Sequence, residues 1–179
     1  MTDSASLYPL HFGEVLNVLP EYEEYRDAES SYRGEAPFRM AVGRHVKDWG
    51  ERLLDLSEFQ GNLLPRRDLR VVDHMVSTVT DIFSTLNCGG QIRRVPVDSS
   101  TQDELRACDT RILRLLEEES ELLDGMHRAE WAGEWLEHDA REFYRKLRSL
   151  KRELLDRNLL LGLRGSARRD RRQPGIELI

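Results

Sequence analysis

Residues 100–163, STQDELRACDTRILRLLEEESELLDGMHRAEWAGEWLEHDAREFYRKLRSLKRELLDRNLLLGL, decide the fold. They contain no proline, and apolar residues recur at alternating spacings of four and three: Leu105, Cys108, Ile112, Leu115, Leu122, Met126, Ala129, Leu136, Ala140, Phe143, Leu147, Leu150 and Leu154. With Leu105 at heptad position a and Cys108 at d, one frame runs to Leu154, and only Glu119 and Gly133 interrupt it, both at a. The pattern predicts α-helix throughout. Asp124-Gly125 is the one candidate break, because Gly costs about 1 kcal/mol relative to Ala inside a helix and favours helix C-termini. Two forms satisfy the pattern: one bent helix of roughly 90 Å at 1.5 Å per residue, or two helices folded back at Gly125. The seam keeps its phase through the glycine, which favours the continuous form.

Upstream, residues 38–64 carry a second seam of Val42, Val46, Trp49, Leu53, Leu56 and Leu63, stopped by Pro65. A third helix is predicted over 68–87, with Asp68 as N-cap, a seam of Val72, Val76, Val79, Phe83 and Leu86, and Asn87-Cys88-Gly89-Gly90 as its stop. Two helices joined by so short a turn form an antiparallel hairpin. Residues 89–98, containing Pro96, read as an ordered loop crossing the bundle rather than a central strand. Ser99 or Ser100 is then expected to cap the long stretch, with Asp103 or Glu104 completing a capping box.

Three segments follow: an N-terminal arm over residues 1–37, a helical bundle domain over 38–163, and a basic mobile tail over 164–179. The arm holds an apolar cluster including Phe12, Val15, Leu16 and Leu19, then a tyrosine-bearing segment with Tyr22, Tyr25 and Tyr32 that loops through Gly34 and Pro37. It is too apolar to stay in water and is expected to pack on the helices. The fold class is all-α: an antiparallel helical hairpin packed on a long heptad-bearing helix or helix pair, four-helix-bundle-like, with the arm laid over one side.

At 179 residues the chain can bury a core without staples. Charged residues make up 34% and mean hydropathy is −0.60, which suits slender amphipathic helices. The longest purely apolar runs are far too short to span a bilayer. Residues 1–6 lack a basic segment followed by an apolar one, so no secretion signal is expected and the location read is cytoplasmic. Cys88 and Cys108 are too few for a disulfide scaffold and read as two ordinary thiols.

The net charge of −6 hides a polarity along the chain. Between residues 100 and 142 thirteen acids face five arginines, whereas between 143 and 172 eleven basic residues face three acids. Acid near a helix start and base near its end suits the helix dipole. It also suits an antiparallel pair of copies, the acidic half of one lying on the basic half of the other.

Several chemistries can be weighed. A di-metal carboxylate site would need Glu and His converging inside the bundle. His127, Glu130, Glu134 and His138 line up along one strip of a continuous helix, but off the seam, so the strip is a weak metal candidate and no cofactor is called. No glycine-rich phosphate loop, nucleophile elbow or zinc-protease motif occurs. Arg168, Arg169, Arg171 and Arg172 could neutralise phosphates without sequence preference, a weak nucleic-acid signal given that no aromatic residues interleave with them. Trp131 and Trp135 form an aromatic stripe off the seam, to be covered either by the arm or by a partner.

The functional reading is a non-enzymatic interaction or assembly protein, an adaptor or scaffold working through helical and coiled-coil contacts. Its expected partner is another protein or itself, as a homo-oligomer in the manner of an antiparallel dimer. The contacts are assigned to Trp131, Trp135, Phe143, Leu147, Leu150 and Leu154. The alternatives are a helical-bundle enzyme or metal/cofactor-binding protein, and a nucleic-acid accessory protein acting through its tail.

Overall fold

The computed structural model describes residues 9–26, 28–60, 66–87, 97–129, 132–136 and 138–163. Every regular element among them is helical: α1 (Pro9–Asn17), a 3₁₀ turn (Tyr22–Arg26), α2 (Ala28–Gln60), α3 (Arg66–Leu86), α4 (Ser99–Arg128), the short α5 (Ala132–Leu136) and α6 (Asp139–Leu160). The all-α class and the helical hairpin stand.

Four long helices close a ring in the order α2, α3, α6, α4. In the α2/α3 hairpin Gly43 and Gly50 of α2 let α3 approach closely. A Cβ on Gly50 would lie 3.2 Å from Val79, and one on Gly43 would lie 3.6 Å from the Phe83 ring. α3 runs parallel to α6, with Asp81 on Lys151 and the Thr85 carbonyl on Asn158. α6 runs antiparallel to α4, with Lys146 on Glu118 and Arg157 on Asp109. α4 returns beside α2 through the side chains of His45, Trp49 and Arg52. The arm packs as expected, α1 on α2 and the 3₁₀ turn on α2 and α4.

The long stretch is two long helices, α4 and α6, with the short α5 between them, and the reversal is not at Gly125. α4 continues through Gly125 to Arg128, where the Ala129 amide bonds the Gly125 carbonyl at 3.1 Å. The chain turns back across 129–138 and restarts as α6 at Asp139. A single protruding helix would have left Phe143, Leu147, Leu150 and Leu154 in water. Folding back buries all four in the main core, at about 1.5–3 kcal/mol for each side chain removed from water. The same reversal satisfies the charge polarity inside one chain, since the acidic face of α4 meets the basic face of α6 through Glu118–Lys146 and Asp109–Arg157.

Other boundaries move for local reasons. α2 starts at Ala28 rather than near residue 38, and Gly34 and Pro37 lie inside it. Pro37 has no N–H to give the preceding turn, but the helix is held there by the fully buried Glu35 and its i,i+4 partner Arg39. Residues assigned to the arm therefore belong to the bundle. At the other end α2 is described to Gln60, and the predicted end at 64, with Leu63 and Pro65, lies outside the described residues. Asp98, not a serine, caps α4 by accepting from the Thr101 amide at 2.8 Å, and that bond holds the Asp98 carboxyl below its ordinary pKa. On α3 the buried stripe is Val72, Met75, Val79, Ile82 and Leu86, so Val76 is only half-buried and Phe83 is exposed. On α4, Leu116 and Leu123 take the fully buried places expected of Leu115 and Leu122. A straight helix drifts about 20° per heptad from a 3.5-residue repeat, enough to move the stripe by one residue. The crossing loop falls mostly outside the described residues, as does the tail over 164–179.

If this closure is right, Leu150→Ala lowers unfolding stability by about 2–5 kcal/mol, the cost of a core cavity. Leu159→Ala on the exposed face of α6 shifts it by less than about 0.5 kcal/mol. Urea unfolding of the two variants measures both.

Candidate functional site

The seam of α6 does not end at Leu154. One heptad beyond Leu150, in the d position, stands Arg157, which is 1% exposed. Its Nε donates to Asp109 Oδ1 at 2.5 Å and one terminal nitrogen donates to Glu35 Oε2 at 2.7 Å. The other donates to the Tyr25 hydroxyl at 3.1 Å and to Asp109 Oδ2 at 3.3 Å. The guanidinium carbon lies 4.5 Å from the centre of the Phe38 ring.

Around this centre the remaining polar atoms are also matched. Tyr25 donates to Glu35 Oε1, and Tyr22 donates to Asp109 Oδ2. Arg39 Nε donates to Glu35 Oε2 at 2.7 Å, and its other nitrogens reach Asn158 Oδ1 and the Leu86 carbonyl. Two guanidiniums and two carboxylates thus sit together with no net charge. Burial alone would raise the Glu35 pKa, but Arg157, Arg39 and the Tyr25 hydroxyl outweigh it, and the carboxyl lies below its ordinary range. Burial raises Asp109 despite Arg157. It also raises both tyrosines, which keeps their hydroxyls as donors. The gap beside the cluster, lined by Phe38, Arg39, Thr85 and Asn158, has no room for a water molecule.

A second polar group joins α2 to α4. His45 Nε2 lies 2.9 Å from Ser120 Oγ, and Trp49 Nε1 donates to the same oxygen at 3.2 Å. A Ser–His contact invites a nucleophile reading, and counting hydrogens removes it. The one hydroxyl hydrogen of Ser120 goes to the Leu116 carbonyl at 2.8 Å, so Ser120 accepts from both rings and His45 takes no proton from it. Trp49 stacks edge-on with His45 and Phe143. The group is a buried strut between helices.

Glu119 is the third feature. It is fully buried at the a position flagged in the sequence, and neither carboxyl oxygen has a hydrogen-bond partner. Burial pushes its pKa well above the ordinary value, Lys146 opposing and Glu118 adding. Burial without a partner thus favours its neutral form in the folded protein.

The residues singled out from sequence are dispersed. His127 is exposed near the end of α4 and His138 is exposed before α6, paired with Asp139. The reversal between them breaks the strip that a continuous helix would have formed. Glu130, Trp131 and the Glu134 side chain lie outside the described residues, as do Arg168, Arg169, Arg171 and Arg172. Among the described residues no three His, Cys, Asp or Glu side chains gather as a metal site. Trp135 is 0% exposed and belongs to the main core. So do Phe143, Leu147, Leu150 and Leu154, each covered by the chain's own helices. Cys108 is buried, donates to the Glu153 carbonyl at 3.3 Å, and has its thiol pushed up to about 12, first by burial and then by Asp109 and Glu153. Such a thiol is unreactive.

Five large apolar side chains remain exposed among the described residues, Leu16 on α1 and Leu159 on α6 as well as three on the hairpin. Met40 and Leu54 on α2 are 63% and 49% exposed, and Phe83 on α3 is 39% exposed. A shallow groove of about 190 Å³ runs between the start of α4 and the end of α6, and its one charged lining residue is the cap Asp98. No described helix is long and apolar enough to cross a membrane.

Comparison with protein-family models, with curated proteins and with solved structures finds no match to this chain.

Two predictions concern the buried charges. Arg157→Met removes the one guanidinium that reaches Asp109 and one of the two on Glu35, and should lower stability by about 3–5 kcal/mol in urea unfolding. Glu119→Leu, which removes an unsatisfied buried carboxyl, should raise it by about 1–3 kcal/mol at neutral pH. The folded-state pKa of Glu119 is raised above its unfolded value, so its contribution is intact below the unfolded pKa and falls as pH rises towards the folded one. The stability difference between Glu119→Leu and wild type should therefore grow between pH 5 and 8 in paired unfolding curves.

Proposed function

We propose that this chain is a non-enzymatic protein–protein interaction or assembly module whose contact face is the outside of the α2/α3 hairpin. The observation that carries the reading is a contrast between inside and outside. The buried ionisable cluster is matched atom for atom and has no room for a ligand. The Ser120 hydroxyl is spoken for, and Glu119 lies in packed core. Chemistry on a substrate needs such groups on the wall of a cleft. Meanwhile three large apolar side chains stand in water on neighbouring helices, Met40, Leu54 and Phe83. Exposed apolar residues grouped on one face favour protein contact.

The test is the state of the protein in native extract of its source cells. Wild type should elute in an assembly larger than the 20.9 kDa chain. The double variant Met40→Asp/Phe83→Asp should keep its helicity and melting temperature and elute alone. A wild-type chain that itself elutes alone would overturn the reading.

A further inference from the structure

We infer that the outside of α2 recognises a second copy of this chain, docked antiparallel about a two-fold axis near Lys47. This deepens the proposed interaction role by naming the partner. On α2, Met40, Arg44, Lys47, Glu51 and Leu54 are all exposed and spaced by four and three, a second seam on the side of the helix that faces away from the core. Its pattern is symmetric about its middle. Apolar residues sit at both ends, base lies in the first half and acid in the second.

An antiparallel second copy superposes that pattern on its complement. Met40 comes opposite Leu54 of the second copy and Arg44 comes opposite Glu51 of the second copy, while Lys47 meets Lys47 of the second copy on the axis, each lysine 3.0 Å from Glu51 of its own chain. A two-fold axis makes each contact twice. A parallel copy would set Arg44 on Arg44 and Glu51 on Glu51, which is repulsive. The present partners of these side chains do not hold them. Arg44 lies 3.6 Å from Glu14 and Lys47 lies 3.0 Å from Glu51, and all four side chains are largely in solvent, where such pairs contribute little. Phe83 packs beside Gly43, where an added Cβ would lie 3.6 Å from its ring, so Phe83 borders the same strip and widens its apolar part. The strip is roughly 21 Å long from Met40 to Leu54, less than a standard interface. The dimer should be weak, on the order of 10–100 μM, and sensitive to salt.

Sedimentation equilibrium of the purified full chain decides it. Wild type at low salt should pass from monomer to dimer as concentration rises to about ten times that dissociation constant, and the dimer should dissociate in high salt. Arg44→Glu alone and Glu51→Arg alone each place like charges together and should weaken dimerisation at least about tenfold. The double variant Arg44→Glu/Glu51→Arg should restore it, because only the antiparallel register pairs the swapped charges. Circular dichroism should show all three folded, as expected of exposed positions. A wild type that stays monomeric, single variants that dimerise like wild type, or a double variant that does not recover would each overturn the inference. If purified protein is monomeric while the native extract still holds it in an assembly, self-docking fails and the broader interaction role stands.

Discussion

Arg157 between Glu35 and Asp109 is the constraint on which the arrangement depends. Each of the three groups comes from a different long helix, α6, α2 and α4, and Tyr25 joins them from the arm. Burying an ion costs several kcal/mol, and the attraction of a partner repays it only when geometry and hydrogen bonding are complete. The cluster meets that condition only in one register of the four elements. Sliding α6 by a turn along α4 would take the Arg157 guanidinium from both carboxylates, leaving Asp109 with the Tyr22 hydroxyl alone and Glu35 with Arg39 and Tyr25. The network is therefore better understood as choosing the register than as supplying net stability. Leucine and aromatic packing along the rest of the bundle supplies the driving force.

The opposite case stands a few turns away. Glu119 occupies the same seam and has nothing to bond, so it weakens the fold as pH rises. Within one core, a matched set of four charges is tolerated and a single unmatched acid is a liability. The difference is the presence of partners, not the depth of burial.

Much of this was legible in the sequence. The periodicities located every long helix, and the hairpin followed from Pro65 and the glycines after Asn87. The fold-back was not legible, because Ala129 and Ala140 lie eleven residues apart and keep the heptad phase across a reversal as well as through a helix. That ambiguity carried the site reading with it. Trp135, Phe143, Leu147, Leu150 and Leu154 looked like surplus apolar surface on a protruding helix, and once the helix turns back they are core. Arg157 was passed over as one more base in a basic half, although its d position one heptad after Leu150 was the available signal. α3 carries two apolar stripes, and only the tertiary partner chooses Met75 and Ile82 over Val76 and Phe83. The rejected stripe is what leaves Phe83 outside, next to the exposed face of α2.

The apolar seam of α4 and α6 is consumed by the closure of the two helices on each other. Spin labels at Arg114 on α4 and Arg148 on α6, in a Cys88→Ser/Cys108→Ala background diluted with unlabelled protein, measure it directly. Antiparallel helices packed 8–10 Å apart predict a label separation of about 20 Å. One continuous helix would place the labels about 50 Å apart within a chain, and that result would contradict the account.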